Sequence, residues 1–134
     1  MSQEKKDIIK TYHDYVEAFM TLEPSAIIPY YHVPCIIIAT SSVTVLSTPE
    51  EIAANFSIGM EALKKSGYAR SDIINLDVAQ KGVGVAVVIA DLKRYTKEGK
   101  QLGSQGGLYR YTYTFRKADD QWRVAAVISH DPNY

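Results

Sequence analysis

Cysteine, tryptophan and histidine are scarce in this chain of 134 residues, which has one, one and three of them. The single thiol, Cys35, rules out an intrachain disulfide and suits a reducing compartment. It stands three residues after His32, but this pair lacks the third and fourth ligands that zinc requires, so no metal is expected. Neither sign of charge is in excess. Fifteen Lys and Arg balance fifteen Asp and Glu, which leaves no long-range positive field to gather nucleic acid or anionic lipid. No apolar run approaches the roughly 18 residues of a membrane span, and the opening MSQEKKDIIKTYHDY is charged where an export signal is apolar. The expectation is a soluble, cytoplasmic protein with no nucleic-acid and no membrane partner. Glycine does not gather into a phosphate-cradling loop either. KGVGVAV joins two strands, whereas that motif leads from a strand into a helix.

What the chain has in quantity is tyrosine, ten residues of it, and apolar side chains at regular spacings. Domains cluster at roughly 100–150 residues, so 1–134 reads as one domain. Ile8, Tyr12, Tyr15, Val16, Phe19 and Met20 follow the 3.6-residue period of an amphipathic helix over 4–22. Pro24 stops it, and PSAIIPYY leaves room for a short second helix before Pro29. PCIIIATSSVTVLS, rich in β-branched residues, predicts two short strands around Ser41 and Ser42. In TPEE at 48–51, Thr48 can cap free amides, Pro49 loses nothing at the first helical position and Glu51 can reach back. A helix of about 17 residues starts there, buries Ile52, Phe56, Met60 and Leu63, and ends at Gly67. Beyond it, 68–80, 83–95, 101–117 and 122–129 alternate or run apolar between the turns QKGV, TKEGK and ADDQ, as in an antiparallel meander.

Directly paired residues share a face of a sheet. A four-residue connection through ADDQ pairs Lys117 with Trp122, then Phe115 with Val124, Tyr113 with Ala126, Tyr111 with Ile128 and Tyr109 with His130. A hairpin through KEGK brings Val85, Val87, Ile89 and Asp91 to this aromatic face as well, unless a bulge in GSQGG at 103–107 reverses the parity. The helices should cover the aromatic side. The other side carries Arg110, Thr112, Thr114, Ala125, Val127 and Ser129, a mixed surface fit to meet water or a second copy of the chain.

The order of elements, with the stretches YYHVPCIIIAT, TPEEIAANF, VAVVIADLKRYTKEG and YRYTYTFRKADDQWRVAAVISH, resembles the nuclear transport factor 2-like superfamily. That group includes the SnoaL-like polyketide cyclases, ketosteroid isomerase and scytalone dehydratase. The resemblance implies an α+β cone, a curved, mostly antiparallel six-stranded sheet wrapped around a long N-terminal helix in the order α-α-β-β-α-β-β-β-β. It also implies a cavity at the wide end and often a dimer through the outer face of the sheet. Activity varies widely on this scaffold. Ketosteroid isomerase uses an aspartate base with a tyrosine and a protonated acid, and scytalone dehydratase uses histidines, tyrosines and an aspartate. No complete catalytic trio matches here; Tyr15 is the nearest counterpart to the isomerase tyrosine.

Among the candidate site residues, Asp91 interrupts VAVVIADL. On an apolar face its carboxylate would be desolvated and its pKa raised toward that of a working base, whereas at a rim it would form an ordinary ion pair with Lys93 or Arg94. His130 can transfer protons near neutral pH or be a satisfied strand-end histidine. Tyr15, Tyr31, Tyr109 and Tyr111 combine an apolar ring with a hydroxyl. With His32, at a helix-to-strand junction near the implied cavity mouth, they would bind a small apolar or aromatic molecule; plain core packing is the alternative. Two functions fit. One is a cofactor-free isomerase, dehydratase or cyclase in which Asp91 or His130 moves the proton. The other is a non-catalytic dimerisation or ligand-sensing domain. In either, a homodimer is expected through the Arg110, Thr112, Thr114, Ala125, Val127 face.

Overall fold

In a computed structural model, which describes residues 1–103 and 105–131 with the backbone alone at Gln105, Ser2 opens the first helix. Its Oγ accepts from the Lys5 amide at 3.1 Å, satisfying one of the donors that a helix start leaves free. Helix α1 (Gln3–Met20) buries Ile8, Tyr12, Tyr15 and Val16, one stripe along its length. Pro24 begins the four-residue α2 (Pro24–Ile27), and a 3₁₀ turn (Ile28–Tyr30) leads into β1 (Tyr31–Ala39), which starts three residues earlier than the pattern predicts. Strand β2 (Ser42–Leu46) turns back on β1 directly. At the start of α3 (Pro49–Lys65) the Thr48 hydroxyl accepts from the Glu51 amide at 3.1 Å. Glu51 in turn accepts from the Ser47 amide at 3.2 Å, one residue before the cap. After Gly67, in the left-handed region at φ 82°, the rest is sheet: β3 (Tyr68–Gly82), β4 (Val85–Thr96), the two-residue β5 (Gln101–Leu102), β6 (Leu108–Ala118) and β7 (Gln121–Ser129).

The strand order is β2-β1-β7-β6-β4-β3, with β5 paired to the end of β4. Every pair is antiparallel except β1 with β7. The predicted α+β cone is therefore present, with one strand more than expected because 101–117 is not a single strand. Register shifts in β3, between β1 and β7, and between β6 and β7 bend the sheet. α1 and α3 lie on its inner side. Ile8 and Tyr12 of α1, Ile27, Ile52 and Met60, and Val88, Phe115 and Val124 of the sheet are each at most 1% exposed. Burying each of the larger apolar side chains contributes about 1.5–3 kcal/mol.

Two register features correct the expected faces. Tyr95 pairs with Gln101, but Lys93 pairs with Leu108, five residues beyond the Gly103 that an unbroken hairpin would place there. Gly103, Gly106 and Gly107, all at positive φ, carry this detour; Ser104 lies outside the described residues. Five is odd, so the parity reverses. Ala86, Val88, Ala90, Leu92 and Arg94 face inward, and Val85, Val87, Ile89 and Asp91 face outward. The second correction is in β7. Phe115 pairs with Val124 as expected, but Thr114 pairs with Ala126, so Ala125 is an extra residue and Tyr113 meets Val127, not Ala126. Tyr111 then meets Ser129, and the His130 amide bonds the Arg110 carbonyl at 3.0 Å. Val127 thus turns inward and Ile128 and His130 outward.

Candidate ligand-binding cavity

The inner side of the sheet does not close on the helices. Tyr15, Val16 and Phe19 of α1, Phe56, Met60 and Leu63 of α3, and Tyr31, Ser71, Leu92, Arg94, Tyr111, Tyr113 and Val127 of the sheet enclose a cavity of about 450 Å³. This lies within the ~300–1,000 Å³ usual for small-molecule sites. Gly59, Ala62 and Ser66 complete the lining and are exposed, recurring every three or four residues, so the mouth opens along one face of α3. The walls are aromatic. Tyr15 packs edge-on against Tyr31 and Tyr113 at centroid separations of 5.7 and 6.2 Å, and Phe56 lies 5.0 Å from Tyr31.

The hydroxyls in these walls are paired among themselves. Tyr15 and Tyr31 share a hydrogen bond of 2.6 Å, Tyr12 donates to Tyr113 at 3.2 Å, and Tyr68 and Ser71 are bonded at 2.6 Å. Ser66 donates to the Leu63 carbonyl at 2.9 Å. Burial pushes the phenols of Tyr12, Tyr15, Tyr31 and Tyr113 well above their ordinary pKa of 10.0. They stay neutral near neutrality and act as hydrogen-bond groups, not as bases.

Arg94 is different. It enters the same inward phase as Leu92 and lies over the Tyr109 ring at 4.2 Å, with Phe19 at 5.6 Å and Tyr111 at 5.9 Å. One Nη donates to the Tyr111 hydroxyl at 3.1 Å. Its Nε is buried without a hydrogen-bond partner, and no carboxylate among the described residues pairs with it. Burial works against its charge, but the phenols of Tyr111, Tyr109 and Tyr68 outweigh that and hold its pKa above the ordinary value.

The cavity brings together Tyr15, Tyr31 and Tyr111 of the expected site residues. Tyr109 stands behind them, stacked on Arg94. His32 lies apart from the cavity: its Nδ1 is 2.9 Å from the Pro34 carbonyl, and Arg116 donates to its Nε2 at 3.1 Å. Asp91 and His130, expected on the aromatic face, are on the opposite one. Arg110 holds both carboxylate oxygens of Asp91, the Nη2 bond being 2.9 Å, and lowers the Asp91 pKa; partial burial opposes this. His130 Nε2 is 2.6 Å from the Thr112 hydroxyl. Sequence reasoning passed over Arg94 as a site residue. The signal was a lone cation in the phase A-V-A-L-R of β4. No group of three or more His, Cys, Asp or Glu that could hold a metal occurs among the described residues.

A curved sheet around a helix with an aromatic hollow defines a cone-shaped α+β protein. The chain belongs to the family described as NTF2-like protein (DUF6841), whose model matches residues 3–132. Solved structures agree on the fold. Aln2 from a Streptomyces species superposes with a TM-score of 0.77 at 14% identity, covering 99% of this chain and 94% of that one. An NTF2-like protein with a cystatin-like fold from Novosphingobium aromaticivorans gives 0.73 at 15%, covering 93% and 79%. A ketosteroid isomerase-like protein from Erwinia carotovora atroseptica gives 0.68 at 17%, covering 96% of each chain. At these identities the likeness extends to the fold alone. No curated protein matches the sequence. Among the described residues no helix is long and apolar enough to cross a membrane.

Proposed function

We propose that residues 1–134 form one small-molecule-binding domain, whose cavity between α1, α3 and the sheet holds a flat apolar or aromatic molecule without a cofactor. The observation that carries this reading is the 450 Å³ cavity itself, walled by rings whose hydroxyls are already paired and open beside α3. Close packing normally fills such space, and aromatic walls with few polar groups suit a largely apolar ligand. Acid/base chemistry at Asp91 or His130 has no part in the reading, because both side chains lie across the sheet from the cavity. The buried free thiol of Cys35, its pKa pushed up to about 11 by burial, suits the reducing cytoplasm.

N-phenyl-1-naphthylamine, a neutral probe that fluoresces in apolar surroundings, tests this reading. It should bind the native protein with micromolar affinity and lose binding in Gly59→Trp. A Cβ at Gly59 meets no atom within 4 Å, so the indole can occupy the mouth without disturbing the helix. No binding by the native protein, or equal binding by the plugged variant, would remove the proposal.

Assembly is a second part of the reading. On the outer face Ile38, Ile128, Thr112 and Ile89 stand side by side across four strands, as do Ile36, Ala126, Thr114 and Val87. Ile36, Ile89 and Ile128 are 37%, 37% and 41% exposed. The rows carry no charge that would call for an oppositely charged partner. A second copy related by a two-fold axis offers the same uncharged surface, and we take it as the occupant.

A further inference from the structure

The hydrogen-bond inventory of the cavity points to the chemical class of its ligand; this rests on the binding reading above. Among the described residues every hydroxyl in the lining has a partner within the protein, Tyr15 with Tyr31, Tyr113 with Tyr12, Ser71 with Tyr68, Ser66 with the Leu63 carbonyl and Tyr111 with Arg94, and one side chain stands out by leaving most of its donors unused. That side chain is Arg94. A guanidinium has five N–H donors, and here Tyr111 takes one while the Nε is buried and unpartnered. Its positive charge faces aromatic rings but no carboxylate among the described residues. A partly buried cation held by ring faces and one phenol hydroxyl keeps part of its desolvation cost.

We propose that the ligand is a monocarboxylate with a flat apolar body, its carboxylate seated on Arg94 and its body between Phe19, Phe56 and Tyr31. The Nη donors at the end of a guanidinium, projecting side by side, match the two oxygens of a carboxylate. One charge is all the site can neutralise. Among the described residues Arg94 is the single cation in the lining, and no lysine and no helix start joins it there. A phosphate dianion would therefore leave one charge unpaired in an aromatic cavity. The Tyr109 ring lies 4.2 Å from the guanidinium and limits how far it can turn. The hydrogen bond from Arg94 Nη2 to the Tyr111 hydroxyl further holds it within the wall.

The test is displacement of N-phenyl-1-naphthylamine by a matched pair, 2-naphthoate and the neutral 2-naphthamide. A hydrogen-bonded charge pair is worth roughly ten- to a hundredfold in affinity, and naphthoate should displace the probe with that advantage. In Arg94→Gln the advantage should collapse to within about twofold while the probe itself still binds. Arg94→Lys, which keeps the charge but loses the fork, should fall between the two. Equal displacement by acid and amide in the native protein would overturn the carboxylate assignment and leave the cavity reading standing. An undiminished advantage in Arg94→Gln would do the same by placing the acid elsewhere. Failure of the probe to bind the native protein would take down both. Should Arg94→Gln not fold, as judged by circular dichroism, the native acid-to-amide ratio and Arg94→Lys decide.

Discussion

Tyr15 and Tyr31 are 6% and 3% exposed, and their oxygens lie 2.6 Å apart. Replacing Tyr15 by Phe keeps the ring, with its contacts to Tyr31 and Tyr113, and deletes only the hydroxyl. The Tyr31 oxygen then loses its hydrogen-bond partner inside the wall. The net worth of one hydrogen bond is about 1 kcal/mol, but a buried group left without a partner costs about 1–3 kcal/mol. With an unfolding entropy of about 2.1 cal/mol/K per residue, a 2 kcal/mol loss in a chain of 134 residues lowers Tm by about 7 °C. Tyr15→Phe with Tyr31→Phe removes both partners, so the pair should be less damaged than the sum of its singles by about 1–2 kcal/mol. Urea unfolding followed by circular dichroism at pH 7, with an unchanged m-value, measures all three losses. A single loss below about 0.5 kcal/mol, or strictly additive losses, would show that cavity water serves the stranded oxygen and that the two phenols are not a unit.

Three further outcomes rest on other contacts in the same structure. Arg110 lowers the Asp91 pKa below its ordinary 3.8, so the stabilisation is present above that pH and is lost as the pH falls through the folded value. Asp91→Asn should therefore destabilise at pH 7 and converge on the native protein below pH 4; an equal deficit at pH 3 would contradict this. The raised phenols of Tyr12, Tyr15, Tyr31 and Tyr113 act in the opposite direction, giving stability that is full below pH 10 and lost as the pH rises, at about 1.4 kcal/mol per pH unit for each phenol still protonated in the fold. Absorbance at 295 nm should show a late cooperative step coincident with unfolding, and smooth titration of every tyrosine near pH 10 would refute it. Light scattering at micromolar concentration should give a dimer for the native protein and a monomer for Ile128→Asp; a native monomer would remove the proposed interface.

The helices could be read from the chain because each depends on local chemistry. Pro24 and Gly67 end α1 and α3 for reasons internal to a few residues, and Ser2 and Thr48 cap their own starts. The hairpin at Asp119 and Asp120, both in the left-handed region, gave the pairing of Lys117 with Trp122 correctly. The faces beyond it were not legible. In V-A-V-V-I-A-D-L both phases of the strand are apolar, so periodicity does not say which one turns inward, and V-A-A-V-I in β7 hides its extra residue in the same way. The tyrosines on α1 and β6 were placed correctly because they alternate with threonine, arginine or charge. Asp91 and His130 were misplaced because their positions were counted across a slip and a bulge. Arg94 went unnoticed as a site residue for the same cause.

The glycine detour after β5 has a bearing on chemistry far from its own backbone. Near its end β4 reads D-L-K-R, so one phase offers an acid and a lysine and the other a leucine and an arginine. An odd displacement turns the second set toward the hollow; an even one would have admitted Asp91 and Lys93 instead. Lengthening or shortening that connection by one residue is thus a way to trade a cation-lined interior for one containing a carboxylate, with no substitution in the strand. Ligand polarity in a scaffold of this kind can be set by the length of a surface loop.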